Sequence, residues 1–150
     1  MDCSLYFAAS YLEARTRLQV LIDDIKPEDL QKRVGSSPNS LGYLLRHIGD
    51  VELLFAKNVF KQESLHVKAQ TLIDGKDNGK WTSLTELINY LSHASEEIIK
   101  VISIQKNSDW NQTVTTKEFG TKTLAEAFGR IISHTAYHAG QLALIKKYGG

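Results

Sequence analysis

The sequence predicts an all-α protein, a four-helix bundle in which residues 1–150 form a single domain. Three observations carry that expectation. Four long stretches place apolar residues at intervals of three and four, Ser, Thr or Asn stands before three of them, and Gly, Pro and Asn concentrate in the segments between. At 42% hydrophobic and 23% charged, the composition suits a soluble globular fold rather than a disordered chain or a membrane span. No repeat or low-complexity tract divides it.

The first helix is expected over residues 4–25, which contain neither Gly nor Pro and carry Leu5, Ala8, Ala9, Leu12, Leu18, Leu21, Ile22 and Ile25. Pro27 ends it. The stretch KPEDLQKRVGSSPNS reads as a short helical turn and then a loop, because Gly35, Ser36, Ser37, Pro38 and Asn39 are turn formers. Asn39 or Ser40 can cap a second helix reaching about Lys61, with Leu41, Leu44, Ile48, Val51, Phe55 and Val59 as its core face and Arg46, Gly49 and Leu53 on a polar back. From Gln62 to Lys80 the periodicity fails, DGKDNGK is turn-rich, and no function is assigned there.

Ser83 with Glu86 is a capping-box signature for a third helix ending near Gln105, with Leu84, Leu87, Ile88, Leu91, Ile98 and Ile102 as its stripe. The segment NSDWNQTVTTKEFGTKT fits either a short hairpin or an extended loop. Thr123 with Glu126 then caps a fourth helix to about Lys147. A chain of this length buries roughly 70% of the surface it exposes when unfolded, so it needs no metal merely to fold. A bound metal is therefore expected to serve function.

The fourth helix poses the chemical question. Ala127, Ile131, His134, His138, Gln141 and Ile145 fall at the spacing of a bundle seam, so two imidazoles one turn apart face inward and need partners. Such a pair is either hydrogen-bonded within the core or the beginning of a divalent-metal site. His47, at the edge of the second helix's apolar arc, can look inward as a third ligand. His93 lies opposite its helix's apolar stripe and is read as solvated, whereas His66 sits in the irregular segment as an outside candidate for a fourth ligand.

The strings LLRHIGDVE, with His47, and HTAYHAGQL, with His134 and His138, resemble the DinB family, also called the DinB/YfiT-like metalloenzymes, and the match in helix order spans essentially the whole chain. The resemblance implies a four-helix bundle with a three-histidine metal site, nickel or zinc as its occupant, and a homodimer. Relatives include enzymes that join a low-molecular-weight thiol to an electrophile, a thiol-dependent isomerase and hydrolases. The family name reflects DNA-damage-inducible expression and implies no DNA binding. A net charge of +1, from 18 basic and 17 acidic residues without a basic run, agrees that nucleic acid is not a partner.

Three neutral ligands leave a cation's charge uncompensated and a coordination position free, which permits thiol transfer or hydrolysis of a small-molecule substrate. Asp50 and Gln141, one turn beyond His47 and His138, can orient ligands or substrate, although Asp50 equally fits a solvated carboxylate and Gln141 a core-edge amide. Tyr43, Arg130 and Tyr137 can line a pocket, with Arg130 either holding an anionic substrate group or forming a surface ion pair. Trp81 and Trp110 are read as packing anchors. Metal occupancy is expected to fall as pH drops through roughly 6, near the reference imidazole pKa of ~6.5.

The rival expectation is a non-catalytic stress-response bundle whose metal is structural or regulatory. The single Cys3 cannot close an internal disulfide and has no link to the triad, which suits a reducing compartment. The N-terminus lacks a signal-peptide pattern and no run approaches the ~18 apolar residues of a span, so a cytoplasmic location without membrane partners is expected.

Overall fold

A computed structural model describes residues 2–150, which are mostly helical. The long helices are α1 (Cys3–Asp24), α2 (Leu41–Leu54), α4 (Leu84–Ser103) and α5 (Leu124–Tyr148), with a short α3 (Gln70–Asp74) and a hairpin of β1 (Thr113–Thr116) and β2 (Gly120–Thr123). Side chains fix where each long helix starts. Asp2 accepts from the Ser4 amide, Ser40 from Tyr43, Ser83 from Glu86, and Thr123 closes a full capping box with Glu126.

Helix α1 packs against α4 and α5, and α2 packs against the same two, which places α1 and α2 at opposite corners. The core this encloses has two apolar halves. Tyr11, Phe55, Ile98, Ile102, Trp110, Phe128 and Ile131 build one, and Leu18, Ile22, Leu45, Ile48, Leu91, Leu142 and Ile145 build the other. Between these halves along each helix lie Arg15, Glu52 and Thr135, all buried. Arg15 Nη1 donates to Glu52 Oε2 at 2.7 Å, Arg15 Nη2 to the Leu91 carbonyl at 3.1 Å, and Thr135 Oγ1 to Glu52 Oε1 at 2.9 Å. Burial pushes the Glu52 carboxyl up, and Arg15 and Thr135 oppose that shift.

Four expectations need correction. The regular α-helix of α2 stops at Leu54 and continues as a wider π turn over Phe55–Val59, instead of running unbroken to Lys61. Its expected polar back does not exist. Gly49 and Leu53 are buried because α2 is covered by α4 and α5 on its sides and by α3 across its outer face. The buried side of α1 is Ser4, Tyr11, Arg15, Leu18 and Ile22, whereas Leu5 and Leu12 face solvent. The segment 62–80, expected to be irregular throughout, contains α3, which ends at Gly75 in the left-handed conformation (φ 64°). Of the two alternatives for 107–123 the hairpin is the one formed, in antiparallel register from Thr113 opposite Thr123 to Thr116 opposite Gly120.

Candidate metal centre

Helix α2 presents His47 and helix α5 presents His134 and His138, and one ring nitrogen from each lies within 4.8 Å of the other two. His134 Nε2 is 3.2 Å from His47 Nε2 and 3.1 Å from His138 Nε2. The rings are half-buried at the margin of the α5 seam, whose fully buried centre is Ile131, Thr135, Ala139 and Leu142 rather than the histidines themselves. His66 and His93 are exposed and stand outside the cluster.

Two of the three rings are oriented by their second nitrogen. His138 Nδ1 is 2.6 Å from Gln141 Oε1, an acceptor only, so Nδ1 carries the proton and Nε2 presents a lone pair. His47 Nδ1 lies 3.2 Å from Thr71 Oγ1, and the ring stacks on Tyr43 at 6.1 Å with an interplanar angle of 5°. His134 Nδ1 is buried and has no hydrogen-bond partner among the described residues.

This arrangement fits a divalent cation. Three imidazole nitrogens at such separations cannot all be satisfied by hydrogen bonds to each other, because one proton at most lies between any pair. A tetrahedral ion with ~2.0–2.1 Å bonds to nitrogen sets its ligands about 3.3 Å apart, close to the spacing found. Burial, then the neighbouring rings, pushes His134 down to about 3 and His47 down to about 4, while Asp50 opposes the shift at His47. Burial also lowers His138, against the Gln141 contact. His47 and His134 are thus neutral well below pH 6, the state in which an imidazole nitrogen can bind a cation.

Among the orienting candidates, Asp50 is fully buried, not solvated. Its Oδ1 accepts from Arg46 Nε at 2.8 Å and Tyr90 Oη at 2.6 Å, and its Oδ2 from the Thr71 amide at 2.8 Å and Thr71 Oγ1 at 2.7 Å. Gly49 permits this approach, since a Cβ there would sit 2.7 Å from the Tyr90 ring. Gln141 touches His138 and also donates from Nε2 to Tyr137 Oη at 3.2 Å.

A cleft of about 350 Å³ opens beside the cluster, lined by Val51, Phe55, Glu118, Arg130, Ser133, His134 and Tyr137. Arg130 and Tyr137 line this cleft, whereas Tyr43 is buried and stacks against His47 instead. Arg130 forms an exposed ion pair with Glu118 on the hairpin turn at 3.3 Å. Trp110 is buried among Phe7, Phe60 and Phe128, and Trp81 packs under Arg46, in keeping with anchoring roles.

Thr71 is the site residue that sequence reasoning missed. It lies in the segment without periodicity, and a threonine inside a five-residue helix gives no local signal of the histidine 24 positions earlier.

A half-buried three-histidine cluster at the mouth of a cleft, framed by long helices, defines the class of helical proteins with a metal-compatible site. A profile of the DinB superfamily matches residues 10–142, so the chain belongs to the DinB superfamily. No curated protein matches the chain. Among the described residues, no helix is long and apolar enough to cross a membrane.

Proposed function

We propose that this protein is a divalent-metal-dependent enzyme built on the DinB-type four-helix bundle, with His47, His134 and His138 as the ligands. Its reaction is transfer of a low-molecular-weight thiol to an electrophile, or a related hydrolysis. The observation that supports this reading is the convergence of three Nε2 atoms, two of them 3.1 and 3.2 Å from the third, beside a cleft that His134 itself lines. A nickel or zinc ion there supplies Lewis acidity that makes a thiol or a water molecule nucleophilic near neutral pH.

The chain's own residues provide the rest. Val51 and Phe55 offer an apolar wall for the body of a small substrate. Arg130, once it exchanges Glu118 for a ligand, holds an anionic group at the mouth. Tyr137 adds to the lining of the same space, and its hydroxyl accepts from Gln141 Nε2. A closed structural site would carry a fourth protein ligand, preferably thiolate, and Cys3 is not part of the cluster. The open cleft therefore favours catalysis over a structural metal.

The same reading extends to assembly as a homodimer, which sedimentation at micromolar concentration tests. The exposed Leu5, Leu12 and Val20 on α1 supply apolar surface for it. For the reaction, metal-loaded protein is assayed for conjugation of small thiols to a generic electrophile and for hydrolysis of small esters and amides. Turnover that vanishes on chelation and in His134→Ala supports the proposal. Metal-loaded protein that turns over none of these refutes the enzymatic reading.

A further inference from the structure

We propose that Thr71 is the positioning residue of this site: it fixes His47 in the tautomer whose Nε2 lone pair faces the other two histidines, and it is the hydrogen-bond link through which Asp50 orients that ring. The inference rests on the reading that the three histidines bind a divalent cation.

The argument is an accounting of protons. A threonine hydroxyl has one proton to donate and lone pairs to accept with. Thr71 Oγ1 stands 2.7 Å from Asp50 Oδ2 and 3.2 Å from His47 Nδ1. Asp50 is a buried carboxylate that receives four donors, Arg46 among them, and a carboxylate only accepts. The hydroxyl proton therefore goes to Asp50, and what Thr71 turns toward His47 is a lone pair. His47 Nδ1 must then carry the ring proton, which leaves Nε2 bare and directed at the cluster.

The clamp on Thr71 is two-pronged, since its amide also donates to Asp50 Oδ2 at 2.8 Å. The surrounding chain is pinned to α2 as well. Tyr43 Oη donates to the Thr71 carbonyl at 3.4 Å and Arg46 Nη2 to the Lys68 carbonyl at 3.1 Å. Docking of the 68–74 segment and orientation of His47 are one event. A purely structural clamp would need the Thr71 amide alone, whereas the hydroxyl adds the one contact that a metal-ligating histidine uses to set its tautomer and ring angle.

The test uses full-length protein labelled with ¹⁵N at histidine. In metal-free wild type slightly above neutral pH, His47 should show a protonated Nδ1 and an unprotonated Nε2. Thr71→Ser should keep that signature and near-wild-type affinity for zinc, measured by competition with a chromophoric chelator. Thr71→Val, which keeps the shape but not the hydroxyl, should lose the tautomer preference and bind zinc about 10–100-fold more weakly. Protonated Nε2 on His47 in the wild type overturns the proposal, as does Thr71→Val with unchanged tautomer and affinity. If Thr71→Val fails to fold, the wild-type and Thr71→Ser spectra still decide. Wild type that binds no zinc refutes the metal reading, while the tautomer still reports on Thr71 independently.

Discussion

Two of the polar regions within this protein are built on opposite principles. The Arg15–Glu52–Thr135 layer is fully buried and complementary: the cation meets the carboxylate at 2.7 Å, a hydroxyl takes the second carboxylate oxygen, and a backbone carbonyl takes the second guanidinium nitrogen. The histidine cluster, one residue away at His134, is half-buried and self-opposed, with three like ring nitrogens facing one another and one further ring nitrogen without a partner among the described residues. Satisfied polar groups hold a fold together. Convergent, half-buried ones at a cleft are compatible with metal binding, and the contrast distinguishes scaffold from candidate site between adjacent residues of α5.

The strongest way to break the comparison is to remove Glu52. Glu52→Ala leaves Arg15 buried without its counter-charge, and metal-free protein should lose about 3–5 kcal/mol in urea denaturation. By contrast His134→Ala removes a half-buried ring from the edge of the core and should change metal-free stability by less than about 1 kcal/mol while abolishing tight metal binding. Equal destabilisation by the two substitutions would erase the distinction.

A second test adds the cation. Because it binds the folded state, zinc at 100 times its dissociation constant should stabilise wild type by about 2.7 kcal/mol, seen as a raised melting temperature that a chelator reverses. Glu52→Ala, if folded, should keep most of that increment. His134→Ala should lose it.

Acid sharpens the picture further. Unfolded histidines take protons near pH ~6.5, whereas folded His47 and His134 resist until about 4 and about 3. Between those values the unfolded chain binds more protons, so metal-free stability falls as pH drops from about 6.5 toward about 3. Urea denaturation across that range should show a shallower slope in His134→Ala than in wild type. An identical slope would mean the rings are not desolvated as the structure has them.

The smallest effects belong to the cleft. Arg130→Ala should leave zinc affinity and melting temperature near wild type and raise KM for anionic substrates. His93→Ala and His66→Ala, both at exposed positions, should change neither metal binding nor stability.

Much of this was legible in the sequence, for reasons that differ by element. The capping box at Thr123 and Glu126 and the seam of α5 are local patterns, so the helix and its two histidines could be read directly. His47 could be assigned an inward face only by its place beside Val51 and Leu54. The supposed polar back at Gly49 and Leu53 failed because a helix wheel knows nothing of the neighbouring elements, such as Tyr90 and Leu91 of α4 against Gly49. Glu52 and Arg15 look like surface charges in the sequence, and only the packing of α1 against α4 and α5 brings the pair into the core. Thr71 was illegible for the same reason: its meaning is set by a hydrogen-bond chain through Asp50 that crosses 21 positions.

The central claim, that the self-opposed cluster exists to hold a cation, is tested most directly by elemental analysis of untagged protein after reconstitution with nickel or zinc, for wild type and for His47→Ala, His134→Ala and His138→Ala. The account predicts close to one divalent ion per chain in wild type and a large loss in each variant, with helical content by circular dichroism nearly intact. Wild type with stoichiometry near zero for both metals, or full occupancy in all three variants, would contradict it.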